Sequence, residues 1–163
     1  MKDLAAMGTR AGELLRQRRE RVSVMESSAG GLVSAALLAV PGASRYFIGG
    51  SVIYTAEARE AILGFSMDDM DAQGLRSSSE PYAQVMAERV RAVHGTPWGL
   101  AETGAAGPTG NRYGDAAGHT CLAVSGPVSL VRTLETADDD RTTNMWLFAD
   151  AALALLVEAL ESA

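Results

Sequence analysis

Apolar residues recur along the chain with two alternating periods, a pattern that predicts helices packed against strands. Between residues 3 and 19, Leu4, Met7, Ala11, Leu14 and Leu15 fall at three- and four-residue intervals, the stripe of an amphipathic helix. Val22-Ser23-Val24-Met25 follows as a short strand, then the loop Glu26-Ser27-Ser28-Ala29-Gly30-Gly31, then the apolar, helix-favouring run LVSAALLAV. Pro41 and Gly42 stop that helix, the first by removing a backbone donor and the second by permitting a left-handed turn. RYFIGGSVIY, residues 45–54, is rich in aromatic and β-branched residues and reads as a strand, with Gly49-Gly50 marking a bulge or close backbone approach.

Thr55 is placed to cap a helix over TAEAREAIL. Ser77 to Ser79 before Glu80 and Pro81 announce another, with Val85, Met86, Val90 and Val93 as its expected buried stripe and Gly95 as its end. The strand WGLAE leads into Thr103–Gly118, a stretch with five glycines and one proline that is too long and too glycine-rich for a simple connector. HTCLAV and VSLVRTLE, separated by Ser125-Gly126-Pro127, read as an antiparallel hairpin. Asp138 to Asp140 favour the start of a last helix carrying Met145, Leu147, Leu153, Leu156 and Leu160. Helices alternating with strands, plus one hairpin, predict an α/β fold with a mixed sheet covered on both faces.

A length of 163 residues suits one core, so residues 1–163 are expected to form one domain. A net charge of −6 argues against binding extended nucleic-acid phosphates, although a small phosphate can still bind locally. The first twenty residues lack the apolar stretch of a signal peptide, and no segment is expected to reach the length of a membrane span, so the cytoplasm is the expected location. Cys121, the single cysteine, reads as a buried strand thiol; with His94 and His119 it matches no metal-ligand spacing. Lys2 is the only lysine, so a mechanism that needs a catalytic lysine must use it or none.

Three segments carry candidate chemistry. In MESSAGG a strand delivers two hydroxyls and two glycines to a helix start, where free N–H groups attract anions and a serine can be activated; Ser27 or Ser28 can equally be a plain helix cap. In TGAAGPTGNRYGD, Thr103 stands at a strand's carboxyl end beside glycines able to form an N–H nest, or the segment is simply a turning surface loop. In YTAEAR, Tyr54 and Arg59 suit a hydroxyl donor and an anion anchor facing one crevice, although each alone is as well explained as an edge residue and a solvated charge. Trp98 and Trp146 read as packing residues.

Taken in order, ESSAGG, VPGAS, YTAEAR, LGFS, TGAAGPTG and AGHT resemble the successive motifs of the CinA C-terminal domain, which usually read ES(C/S)TGG, xPGSS, YSNEAK, LGV, TGIAGP and VGTV. The resemblance spans roughly residues 5–160. It implies a three-layer α/β/α sandwich with a mixed, mostly parallel sheet of about five or six strands, often assembled as a homo-oligomer, and it implies no metal or organic cofactor. The activity it implies is hydrolysis of the carboxamide of nicotinamide mononucleotide to nicotinic acid mononucleotide and ammonia. The family's serine nucleophile falls on Ser27 and its tyrosine on Tyr54; Thr103, Ser44 and Arg141 match further family positions. Glu26, Ser28, Ala29, Gly30, Gly31, Gly104 and Gly107 complete the expected small-molecule site, with the oxyanion received by N–H groups near Ala29 to Gly31 or in the second glycine loop.

Three positions depart from the family pattern: Ala29 replaces a threonine, Ala56 an asparagine and Arg59 a lysine. A lysine can serve as general base, whereas arginine holds its proton and is suited instead to gripping an anion. Two further readings follow: a non-catalytic pyridine-nucleotide-binding module, and an amidase for another small anionic amide.

Overall fold

The computed structural model describes residues 2–163, with side chains from Leu4 onward. The side chain of Lys2 therefore lies outside the described residues. Helix α1, Lys2–Arg18, buries Leu4, Ala11, Leu14 and Leu15 of its apolar stripe. Strand β1, Val22–Glu26, is buried along its whole length, as befits the middle of a sheet covered on both sides. Helix α2 is Leu32–Leu38, and a short 3-10 turn, Ala43–Arg45, leads into β2, Phe47–Val52. The predicted strand 45–54 is thus shorter at both ends, because Arg45 belongs to that turn.

Helix α3, Ala56–Leu63, starts on the Thr55 hydroxyl, which accepts from the Ala58 N–H. Helix α4, Met67–Ala72, is one that the sequence pattern did not reveal: it is barely two turns long and is started by a reciprocal cap between Ser66 and Asp69. Helix α5, Glu80–His94, buries Tyr82, Ala83, Met86, Ala87 and Val90, whereas Val93 is 50% exposed, so the true buried stripe starts earlier than predicted. Strands β3, Trp98–Ala105, β4, His119–Ser125, and β5, Leu130–Glu135, complete the sheet, and helix α6, Arg141–Ser162, closes the fold.

The strands lie in the order β2-β1-β3-β4-β5. β1 pairs in parallel with β2 and β3, and β4 is antiparallel to both neighbours, so four of the five strands point the same way. On one face, α1, α2 and α6 cover the core around Leu15, Leu37, Leu100 and Phe148; on the other, α3, α4 and α5 cover the core around Met25, Leu63 and Met86. This is the three-layer α/β/α arrangement.

Helix α6 corrects the expectation that no segment reaches membrane-span length. It has 22 residues and is long and apolar enough to cross a membrane, but more than half of its apolar stretch is buried, and its apolar residues serve as the central packing of one layer. Trp98 is fully buried, as a packing residue should be, with its indole N–H donating to Glu20 at 2.6 Å.

The chain leaves β1 for β2 on one side and later reaches β3 on the other, crossing opposite faces of the sheet. The carboxyl ends of β1 and β3 therefore diverge into a crevice, the usual ligand position in open α/β sheets.

Candidate active site

A cleft of about 660 Å³ occupies this crevice. Ser27 reaches it from the end of β1, Ile53 and Tyr54 from the end of β2, Thr103 and Gly104 from β3, and Arg59 from the first turns of α3. Ser27, Tyr54, Arg59, Thr103 and Gly104 are thus the expected site residues that the fold brings together. Thr55, Ala56 and Glu57 at the start of α3 also line it, and the rest of the wall comes from residues that the sequence reading did not select: Met67 and Met70 of α4, Ser77, Ser78 and Tyr82 at the start of α5, and Asn111, Arg112 and Tyr113 of the glycine-rich loop.

The Ser27 loop is built on a buried carboxylate, also absent from the sequence reading. Glu102 is fully buried and accepts from the Ser27 N–H at 3.0 Å, the Ala29 N–H at 2.8 Å, the Ser28 hydroxyl at 2.6 Å and the Thr120 hydroxyl at 3.0 Å. Burial pushes its carboxyl above the usual carboxylate range, against the pull of these donors. Its signal in the sequence was a charged residue inside the apolar strand WGLAE, which demands partners if it is buried.

The loop's backbone donors can be followed one by one. Ser27 and Ala29 give their N–H groups to Glu102, Gly30 gives its own to the Ser27 carbonyl at 3.2 Å, and Gly31 gives its own to Glu26 at 2.9 Å. The stretch Ala29 to Gly31, expected to receive an oxyanion, is therefore engaged inside the protein. Among the described residues only the Ser28 N–H of this loop lacks an acceptor. The Ser27 hydroxyl likewise has no intramolecular partner among them, whereas the Ser28 hydroxyl is tied to Glu102 and buried.

Several other expected positions lie off the cleft. Glu26 is fully buried and caps α2, accepting from the N–H groups of Gly31, Val33 and Ser34 and from the Ser34 hydroxyl. It supplies the cap that Gly31, left-handed at φ 98°, cannot. Ala29 is buried in the core, and Gly30 faces Met145. Ser44 sits in the 3-10 turn before β2, at the end of the sheet opposite the cleft. Gly107 is packed against Asp139, and its carbonyl accepts from Arg141 Nη1 at 2.7 Å. Arg141 reaches the rim alone, where Nη2 donates to the Tyr54 hydroxyl at 2.9 Å.

The floor is held from below by His119. Its ring nitrogens meet Glu135 at 2.5 Å and the Ser78 carbonyl at 2.9 Å, while the Ser78 N–H donates to Thr103 Oγ1 at 3.2 Å. Burial opposes the charged ring, but the Glu135 carboxylate and the Ser78 carbonyl outweigh it, and the His119 pKa is raised. Asp115 in the glycine loop is held below the usual carboxylate range first by Arg76, which it binds at 2.7 Å, and further by Asn111 and His119. Gly104 keeps this floor compact: a Cβ there would stand 2.4 Å from the His119 carbonyl oxygen. Among the described residues, no group of three His, Cys, Asp or Glu side chains is placed to hold a metal.

Residues 4–160 match the family model of the CinA C-terminal domain. The chain belongs to this family. A CinA-like protein of Desulforapulum autotrophicum is 34% identical over 151 residues, 92% of this chain and 35% of that protein. One of Prochlorococcus marinus is 44% identical over 115 residues, 71% of this chain and 26% of that protein. The chain thus spans about a third or less of the curated relatives it matches. A solved structure of the competence or damage-inducible protein from Enterobacter asburiae superposes with a TM-score of 0.87 at 26% identity, covering 96% of this chain and 98% of the other. The chain therefore shares its fold with this solved structure, and its own cleft has Ser27 at the end of the first strand and the glycine-rich loop opposite.

Proposed function

We propose that the cleft hydrolyses a small carboxamide, with nicotinamide mononucleotide as the substrate and nicotinic acid mononucleotide and ammonia as the products. The observation that carries this reading is the unbonded Ser27 hydroxyl lining the cleft, next to a Ser28 N–H that no group of the loop claims. In this mechanism Ser27 Oγ attacks the amide carbon, and the oxyanion is received by the Ser28 N–H, the neighbour of the nucleophile. Collapse expels the amine, which takes up the serine proton and leaves as ammonia. Water then cleaves the acyl ester to the free acid and restores the serine.

Proton movement falls to hydroxyls. Tyr54, whose oxygen accepts from Arg141, keeps its own proton to direct into the cleft, and Thr103, whose oxygen accepts from Ser78, does the same on the opposite wall. Arg59 does not act as a base, since arginine stays protonated.

The test is release of ammonia and nicotinic acid mononucleotide by wild type, Ser27→Ala and Arg59→Lys, followed by coupled assay and mass. Serine-dependent turnover in wild type is the expected result. A wild type no faster than Ser27→Ala overturns the amidase for this substrate.

One observation favours a second reading. Among the described residues, the cleft lining contains no histidine or lysine, the usual activators of a serine, which suits a module that binds a pyridine nucleotide without turning it over. Calorimetry with the two mononucleotides separates binding from turnover, and a panel of small anionic amides covers a different substrate. A homo-oligomer is supported by exposed Leu38, Ile48 and Val52 around the open edge of β2, and light scattering of the purified protein tests it.

A further inference from the structure

Arg59 is only 3% exposed, yet among the described residues no carboxylate lies within 4.0 Å of its guanidinium. Its Nε donates to the Phe65 carbonyl at 2.9 Å and Nη2 to the Met67 thioether at 3.1 Å, a weak acceptor, and the buried Tyr82 hydroxyl is a further, neutral partner. Its guanidinium lies 6.0 Å from the centre of the buried Tyr82 ring. A charge taken out of water is costly without an anion, and guanidinium is the side chain whose fork matches phosphate and carboxylate oxygens in pairs.

The surroundings reinforce this. The charged residues lining the cleft are Arg59, Arg112 and Glu57, two cations against one anion in a chain whose net charge is −6. Glu57 is exposed and already engaged with Thr55 and its own backbone N–H. The first turn of α3, Thr55 to Glu57, lines the same cleft and turns its positive end toward it. Arg141, the other candidate anion anchor, has both terminal nitrogens committed, one to Gly107 and one to Tyr54.

We propose that the corner formed by Arg59 and the start of α3 is an anion seat that takes the phosphate monoester end of the ligand. This deepens the amidase reading and rests on it in one respect: that the molecule whose phosphate sits here is the one whose amide meets Ser27. The replacement of a lysine by Arg59 then exchanges a group that can give up its proton for a permanent two-pronged anion grip.

The experiment is calorimetric titration with inorganic phosphate and with ribose 5-phosphate at constant ionic strength, on wild type, Arg59→Lys, Arg59→Gln and Arg141→Gln. The seat predicts measurable affinity in wild type, a loss of about tenfold or more in Arg59→Gln, a loss of only a few fold in Arg59→Lys, and little change in Arg141→Gln. Should Arg59→Gln fail to fold, the same titration is followed in the unmodified protein through the Arg59 Nε–H resonance, which must shift with phosphate. Absence of phosphate binding in wild type, an unmoved Arg59 resonance, or equal affinity in Arg59→Gln overturns the seat. Turnover of nicotinamide mononucleotide with no Arg59-dependent phosphate affinity overturns the seat and keeps the amidase; Arg59-dependent affinity without turnover supports the seat and removes the amidase.

Discussion

Arg141 and Tyr54, 87 positions apart, meet at 2.9 Å on the rim of the cleft, guanidinium nitrogen to phenol oxygen. Because the other terminal nitrogen of Arg141 holds the Gly107 carbonyl, one side chain from the start of α6 ties the end of β2 to the glycine-rich loop. Both residues are exposed, so the link orients Tyr54 more than it stabilises the fold. Arg141→Ala and Tyr54→Phe are each expected to lower amide turnover while costing less than about 1 kcal/mol of stability. The double variant should be no slower than the worse single one. A full kinetic and urea-unfolding cycle checks this, and additive losses would show that the two act separately.

The two serines of the loop should separate cleanly. Ser27→Ala is expected to abolish turnover and leave stability unchanged, because the Ser27 hydroxyl has no intramolecular partner among the described residues. Ser28→Ala should retain turnover but lose about 1–2 kcal/mol, since it removes a hydrogen bond to a buried carboxylate. Paired activity and unfolding measurements decide; a dead, stable Ser28→Ala would transfer the nucleophile's role to Ser28.

Glu102→Ala leaves the Ser27 and Ala29 N–H groups and the buried Ser28 hydroxyl without their acceptor, whereas the Thr120 hydroxyl keeps the Thr103 carbonyl at 3.2 Å. The expected cost is at least about 3 kcal/mol, seen as a lower urea midpoint. Glu102→Gln should be intermediate, as an amide oxygen can serve only part of the set. An Ala variant as stable as wild type would mean that the loop holds its shape without this carboxylate.

His119 sets a pH dependence. Its pKa is raised in the folded protein, so the stability it contributes is fully present below its unfolded value, about 6.5, and is lost as pH rises through the folded value. Asp115 works in the opposite sense: its pKa is lowered, so its contribution is present above its unfolded value, about 3.9, and is lost as pH falls through the folded one. The stability difference between wild type and His119→Gln is therefore expected to be larger at pH 5.5 than at pH 8.5. Urea unfolding at the two values tests it, and a difference independent of pH would show that the ring acts only by its shape.

Much of the fold was legible because local chemistry repeats it. The stripe of α1, the hydroxyl before α3, the serine–proline start of α5 and the hairpin of β4 and β5 each express a preference that a short segment satisfies alone. Helix α4 escaped because six residues are too few to show a period. The buried stripe of α5 was displaced toward Tyr82 and Ala83 because the pattern marks which residues are apolar and not which side the sheet occupies.

The motifs delivered Ser27, Tyr54, Arg59 and Thr103 to one cleft, since in such a sheet the strand ends open into a crevice where the strand order reverses. That Glu102 rather than solvent receives the Ser27 loop, that Glu26 turns to α2, that Ser44 lies at the far end of the sheet and that Arg59 is buried against the Phe65 carbonyl were settled by tertiary packing. A residue's type and neighbours in sequence state what its side chain is able to bond. Which partner it meets depends on contacts between segments as far as 151 positions apart, and those form only when the layers close around the sheet.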